Sequence, residues 1–283
     1  MTVSQYMADL WPGQPVQNTL AAQFDWLHQC LPFLRLQTAG GGASLSQWIP
    51  SKLDPAIESF CNAKDVRHSV GASLWLKSFN AHLFTGLAAL RLKFNRVPAL
   101  TEDAIIVDIN AEGKVKQLSI LDSQPFYCLA DDSMAEEPQA LVVANEAELD
   151  RCLAEILTGL LSYLEPEFKR NNIGRQLFVG SVGYALGTVF AKLTEKGYDR
   201  DQLARLLPVA DNWLKTVLPA AATLNTVTQA TQCNRAIYYV RRETCCLKYK
   251  LAGKKNCGTC QLTDAAEQLA SYQTKVPTEL AQG

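Results

Sequence analysis

Arg235-Ala236-Ile237-Tyr238-Tyr239-Val240-Arg241-Arg242-Glu243-Thr244-Cys245-Cys246, ten further residues, then Cys257-Gly258-Thr259-Cys260: the reading of this stretch decides the rest. Ala236 to Arg241 has the β-branched and aromatic content of a strand, and it leads into an adjacent cysteine pair. Four of the nine cysteines fall within sixteen positions. Met1 to Gln5 has neither the basic nor the apolar run of a secretory leader. Thiols so clustered in a reducing compartment point to metal ligation rather than to a disulfide framework. Cys257 and Cys260 form a knuckle whose two intervening residues let one turn aim both sulfurs at one ion. Cys245 and Cys246 are different, with Cα atoms only about 3.8 Å apart. A strand would send them to opposite faces, so the chain must bend there if both are to reach one site. A two-iron cluster is a wider target than one zinc ion, and four thiolates suit a [2Fe–2S] centre. One-electron transfer is the leading chemistry, with a structural zinc module as rival.

The C-C-x10-C-x2-C spacing resembles the signature of the FhuF-type ferric siderophore reductases. The flanks resemble that family too, in Tyr238-Tyr239-Val240-Arg241-Arg242 and in Cys257-Gly258-Thr259-Cys260-Gln261-Leu262. Gln261 stands where the family's C-G-x-C-P-L ending carries proline, and all four ligand positions are kept. Ser73-Leu74-Trp75-Leu76-Lys77-Ser78-Phe79 looks like the family's central helix. The resemblance implies that Cys245, Cys246, Cys257 and Cys260 bind [2Fe–2S]. It also implies that the cluster reduces Fe(III) held by a siderophore, commonly a hydroxamate, which releases the metal as Fe(II). An iron–sulfur redox sensor would share the cluster without turning over ferric chelates.

The 283 residues are 48% hydrophobic and 19% charged, enough for one large or two modest cores. The net charge of −1 argues against a nucleic-acid partner. Its distribution is uneven. Arg235, Arg241, Arg242, Lys248, Lys250, Lys254 and Lys255 face only Glu243 between Arg235 and Leu262, a net of +6 that leaves −7 elsewhere. Such a patch stabilises an anionic reduced cluster and can steer an anionic ferric chelate or an acidic electron donor. Tyr239, Arg241, Arg242, Lys248 and Lys250 lie near the cysteines along the chain and are candidate substrate-binding residues. Alternation would put Tyr239 and Arg241 on one strand face and Tyr238 and Arg242 on the other.

The remaining pattern predicts an α+β chain, mostly helical, with a small central antiparallel sheet and a C-terminal iron–sulfur segment. The expected division is a helix-rich body over residues 1–232 and a cluster-binding segment over 233–283. Apolar residues recur at helical spacing over Leu20–Leu36, Leu53–Val66 and His68–Leu92. Ala104–Ile109 and Lys114–Leu121 read as a β-hairpin, and Gln139–Ala144 as a third strand. Asn145 with Glu148 resembles a capping box opening the next helix. Asn172–Lys196 reads as a buried helix in which Gly180, Gly183 and Gly187 call for close packing. Asp201–Leu218 reads as a helix kinked or broken at Pro208, Pro219–Thr231 as a linker or weak helix, and Asp264–Tyr272 as a closing helix.

Of the other cysteines, Cys30, Cys61, Cys128 and Cys152 read as core packing, while Cys233 is a possible substitute ligand. His28, His68 and His82 are remote from the motif, which disfavours Rieske-type ligation. The Gly40-Gly41-Gly42 run lacks a P-loop lysine, and no G-x-G-x-x-G is present. Electrons would therefore come from a separate carrier, such as a ferredoxin or an NAD(P)H-dependent reductase. The missing nucleotide motif also disfavours a body related to siderophore-assembly enzymes. The expected location is cytoplasmic, with peripheral contact at the inner membrane left open.

Overall fold

The computed structural model describes residues 3–10, 19–253 and 256–277. At its centre lie two buried helices, α4 (His68–Phe94) and α6 (Arg175–Leu193). Every residue of α4 from Leu83 to Lys93 is buried, so this half is enclosed on all sides as an internal helix. Asn95 ends α4 in the left-handed region at φ 52°, with the Asn95 and Arg96 N–H groups closing back onto Arg91 and Leu90 carbonyls. Helix α6 is long and apolar enough to cross a membrane by length and composition, yet 61% of its most apolar window is buried inside the protein.

Around this pair stand α1 (Val3–Leu10), α2 (Leu20–Cys30), α3 (Leu45–Lys64), α5 (Glu146–Arg170) and α7 (Arg200–Val217). Ser44 and Gln47 close a full capping box on α3, which begins eight residues earlier than its apolar spacing predicts. On α5, Asn145 caps the Glu148 N–H, but the Glu148 carboxylate accepts from the Ala144 N–H rather than from Asn145. The expected reciprocal box is therefore shifted by one residue. Pro208 does not break α7, which runs on to Val217. The buried Arg91 side chain pins three helices. Its Nε donates to Asp150 Oδ1 at 2.8 Å, its other nitrogens reach Glu146 and Asn95, and Trp213 Nε1 donates to the same Asp150 oxygen.

Strands form three sheets of three rather than one central sheet. The expected hairpin is present as β3 (Ile105–Ile109) and β4 (Val115–Leu121), joined on its far edge by β1 (Leu36–Ala39) in parallel. The second sheet comprises β2 (Val97–Pro98), β5 (Phe126–Leu129) and β6 (Ala140–Val143), with β5 and β6 parallel. The third matters most for function. β7 (Tyr198–Asp199) pairs with β9 (Arg235–Arg242), which pairs with β8 (Asn225–Gln232). The segment read as a linker from Pro219 thus holds a short 3-10 turn and a full strand. Its threonines and alanines give little hydrophobic alternation. Helix α6 approaches the start of β8 and the middle of β9 closely. A Cβ added at Gly183 would stand 2.4 Å from the Asn225 side chain, and one at Gly187 would stand 2.9 Å from Val240.

The β8–β9 hairpin faces two ways. Ala236, Tyr238 and Val240 turn toward α6 and α7, and Tyr238 Oη donates to the Leu203 carbonyl at 2.5 Å. Ile237 and Tyr239 turn the other way, into a small second core with Leu269, Tyr272 and Val276 that involves the final helix α8 (Ala265–Gln273). Residues 232 and 233, between which the two expected parts divide, lie at the tip of this hairpin.

Candidate metal centre

Strand β9 ends at Arg242, and Glu243-Thr244 carries the chain to Cys245 and Cys246. The chain bends at Glu243-Thr244, before the pair, and just past it Leu247 takes φ 58°, unfavourable for a residue with a Cβ, with its N–H pointing back at Cys245 Sγ at 3.4 Å. Ser73 on α4 donates to the Cys246 carbonyl at 3.2 Å, so the central helix holds the cysteine pair directly. The knuckle is held from the other side. Cys260 N–H closes a turn onto the Cys257 carbonyl, and Gln268 on α8 donates to the Cys260 carbonyl at 2.7 Å. Asp264 caps α8 through the Ala266 N–H and so fixes where Gln268 stands.

The two arms meet with sulfur facing sulfur. Cys246 interacts with Cys257, and Cys245 with Cys260. Cys246 and Cys260 are buried, while Cys245 and Cys257 are partly open. Among the described residues no three His, Cys, Asp or Glu side chains converge tightly enough for a single-ion site. The thiols stand instead as two opposed pairs.

Two cations face them. Arg242 is 1% exposed and donates from its guanidinium to Cys257 Sγ at 3.3 Å. Its plane lies 4.5 Å from the centre of the Tyr184 ring. Lys77, one helical turn beyond Ser73, lies 5.5 Å from the centre of that ring and acts electrostatically on Cys246. The hydrogen bond from Cys257, followed by Arg242 and Lys77, draws the Cys246 thiol down to about 4. The same bond, aided by burial, pushes Cys257 up. The Arg242 Nε atom is buried without a hydrogen-bond partner, while the unpartnered Thr244 Oγ1 lies against Gly180 of α6. Thiols in opposed pairs, adjacent cations and an unused guanidinium donor fit an anionic iron–sulfur group.

The other candidates fall in distinct places. Arg242 is sealed against the cysteines and cannot also meet a solute, so its expected substrate contact is replaced by an electrostatic one. Arg241 is half-buried and ion-paired with Glu243 at 3.3 Å. Lys248 and Lys250 are exposed on a short 3-10 turn beyond the cysteine pair. Lys254 and Lys255 lie outside the described residues. Tyr239 is stacked on Tyr272, with ring centres 4.2 Å apart, and lines a groove of about 390 Å³. Cys233 sits in the two-residue turn at the far end of β9, with the whole eight-residue strand, about 25 Å long, between it and the cysteine pair. It is therefore no substitute ligand. His28 bonds the Leu36 carbonyl and His68 bonds Asn171, both away from the thiols. Lys77, Tyr184, Gln268, Tyr272 and Lys275 carry no motif and are assembled only by the fold.

The arrangement defines an α+β protein whose C-terminal segment brings four cysteines together. Residues 242–260 match the model of the FhuF 2Fe-2S C-terminal domain, and the cofactor is a [2Fe–2S] cluster. No curated protein matches the chain. Among solved structures, the ATP-bound aerobactin synthetase IucA from a hypervirulent pathotype of Klebsiella pneumoniae is similar at a TM-score of 0.39 and 12% identity. The match covers 85% of this chain and 47% of that one, so the chain spans about half the length of this neighbour.

Proposed function

We propose that this protein is a ferric-siderophore reductase in which Cys245, Cys246, Cys257 and Cys260 hold the [2Fe–2S] cluster. The observation that carries the reading is the opposition of two thiol pairs beneath Arg242 and Lys77 in a FhuF-type 2Fe-2S segment. The cluster supplies a one-electron relay. The residues around it hold and tune it. Arg242 and Lys77 favour the more negative reduced state, and the Leu247 N–H adds a dipole at Cys245. Ser73 and Gln268 fix the two cysteine arms against the body, so little rearrangement accompanies the change of charge.

One electron passes to Fe(III) in the chelate, which becomes Fe(II), and a separate donor such as a ferredoxin or an NAD(P)H-dependent reductase returns it. The exposed Lys248 and Lys250 suit docking of an acidic partner. The setting is cytoplasmic, with peripheral contact at the inner membrane compatible with this role, and a hydroxamate is the favoured chelator.

Anaerobic purification, reduction, and addition of a ferric hydroxamate with a ferrous trap test this directly. A brown chromophore that bleaches on reduction and returns as Fe(II) appears is the expected result. A chromophore that stays reduced beside the substrate would make the protein a sensor or point to another acceptor. A colourless protein carrying zinc would overturn the redox reading.

A further inference from the structure

A groove of about 390 Å³ opens between α6, β9 and α8. Tyr184, Lys192, Tyr239, Tyr272 and Lys275 line its walls, and Thr259, between the two cysteines of the knuckle, closes one end. The groove touches the cysteine arm. A Cβ at Gly258 would meet Lys275 Nζ at 3.2 Å and Tyr272 Oη at 3.4 Å, so only hydrogen atoms separate this wall from the knuckle. Lys275 Nζ lies 3.8 Å from the centre of the Tyr272 ring, and Tyr272 is stacked on Tyr239. Burial raises both phenols above their ordinary range, so they remain hydrogen-bond donors. At the other end Lys192 is ion-paired with Glu195.

The volume belongs to the class that takes small molecules, whereas a protein partner needs about 800 Å² of surface on each side. Flat aromatic walls with ammonium and phenol donors match a ligand that alternates apolar spacer with negatively polarised oxygen. We propose that this groove binds the ferric chelate, with hydroxamate oxygens toward Lys275 and Tyr272 and the organic spacer along Tyr184 and Ala191. This rests on the reductase reading for the identity of the ligand, and it locates a site that the cysteine motif does not. A chelate seated there stands against the knuckle, close enough for electron transfer without a bond to the cluster.

The gallium(III) complex of a linear tris-hydroxamate is a redox-inert probe of binding alone. Its Kd is measured calorimetrically on the anaerobic holoprotein and on two variants, Ala191→Trp, which fills the groove from α6, and Lys275→Glu, which reverses its charge. We expect binding to weaken about tenfold or more in each variant, with KM for the ferric complex rising in parallel. The visible spectrum of the cluster should not change. No binding by the parent, or variants that bind within about twofold of it, would overturn the groove assignment even if the parent still reduces the ferric complex. Groove-dependent binding of gallium, with no oxidation of the reduced protein by the ferric complex, would leave the groove standing and remove the reductase reading.

Discussion

Replacing Arg242 by glutamine should lower the reduction potential of the cluster by about 100 mV. The guanidinium nitrogen is 3.3 Å from Cys257 Sγ, and the side chain is 1% exposed. At an effective dielectric of about 20, a full charge on that sulfur would interact with Arg242 by about 5 kcal/mol. The electron gained on reduction is spread over the whole cluster, so about half of this, roughly 2–3 kcal/mol, distinguishes reduced from oxidised states. For a one-electron couple about 59 mV corresponds to 1.4 kcal/mol, which gives the figure of about 100 mV. The direction follows from the charge: losing a cation penalises the more negative reduced form. Arg242→Lys keeps the charge and should retain most of the potential, although it loses the stacking on Tyr184. Anaerobic spectroelectrochemical titration followed in the visible band measures all three proteins. A glutamine variant with an intact cluster that titrates within about 20 mV of the parent would refute the electrostatic role.

Four further outcomes are expected. Serine at any of Cys245, Cys246, Cys257 or Cys260 should abolish or severely destabilise the cluster while far-UV circular dichroism keeps most of its helical signal, because the main core is complete without these residues; global unfolding would contradict this. Arg91→Met should destabilise the fold by about 3–5 kcal/mol in urea titration, since Asp150 would be left charged in the core. Gly187→Leu should cost about 1–3 kcal/mol through collision with Val240, and it should loosen β9 and the cysteines with it, read as faster cluster loss to a chelator. His82 is held neutral down to about 4, first by burial and then by Arg35, against 6.5 when unfolded. Its contribution is therefore complete above pH 6.5 and is lost as pH falls from 6.5 toward 4, on the order of 3 kcal/mol. His82→Gln should flatten that part of the stability profile, measured by urea midpoints across the range.

What could be read from residue order alone was local. The helix over His68–Phe94, the hairpin of β3 and β4, and the strand entering Cys245 all carry periodicity within one segment, and the thiol spacing names its own chemistry. The need to leave strand geometry at the cysteine pair was also legible, because adjacent strand residues cannot face the same way; the strand ends at Arg242, before the pair. Strand β8 was hidden, since its threonines and alanines carry a weak signal and it is fixed by pairing along its whole length with β9. The roles of Lys77, Tyr184, Gln268 and Tyr272 were hidden for a related reason. Each is an ordinary residue for its helix, and each becomes part of the site only because α4, α6 and α8 converge on β9. Sequence by itself determined which atoms can bind the metal, because ligand chemistry belongs to single side chains and their spacing. Tertiary structure decided which charges, donors and walls surround them, because those come from separate elements, α4, α6, β9 and α8, brought together by burial of apolar surface.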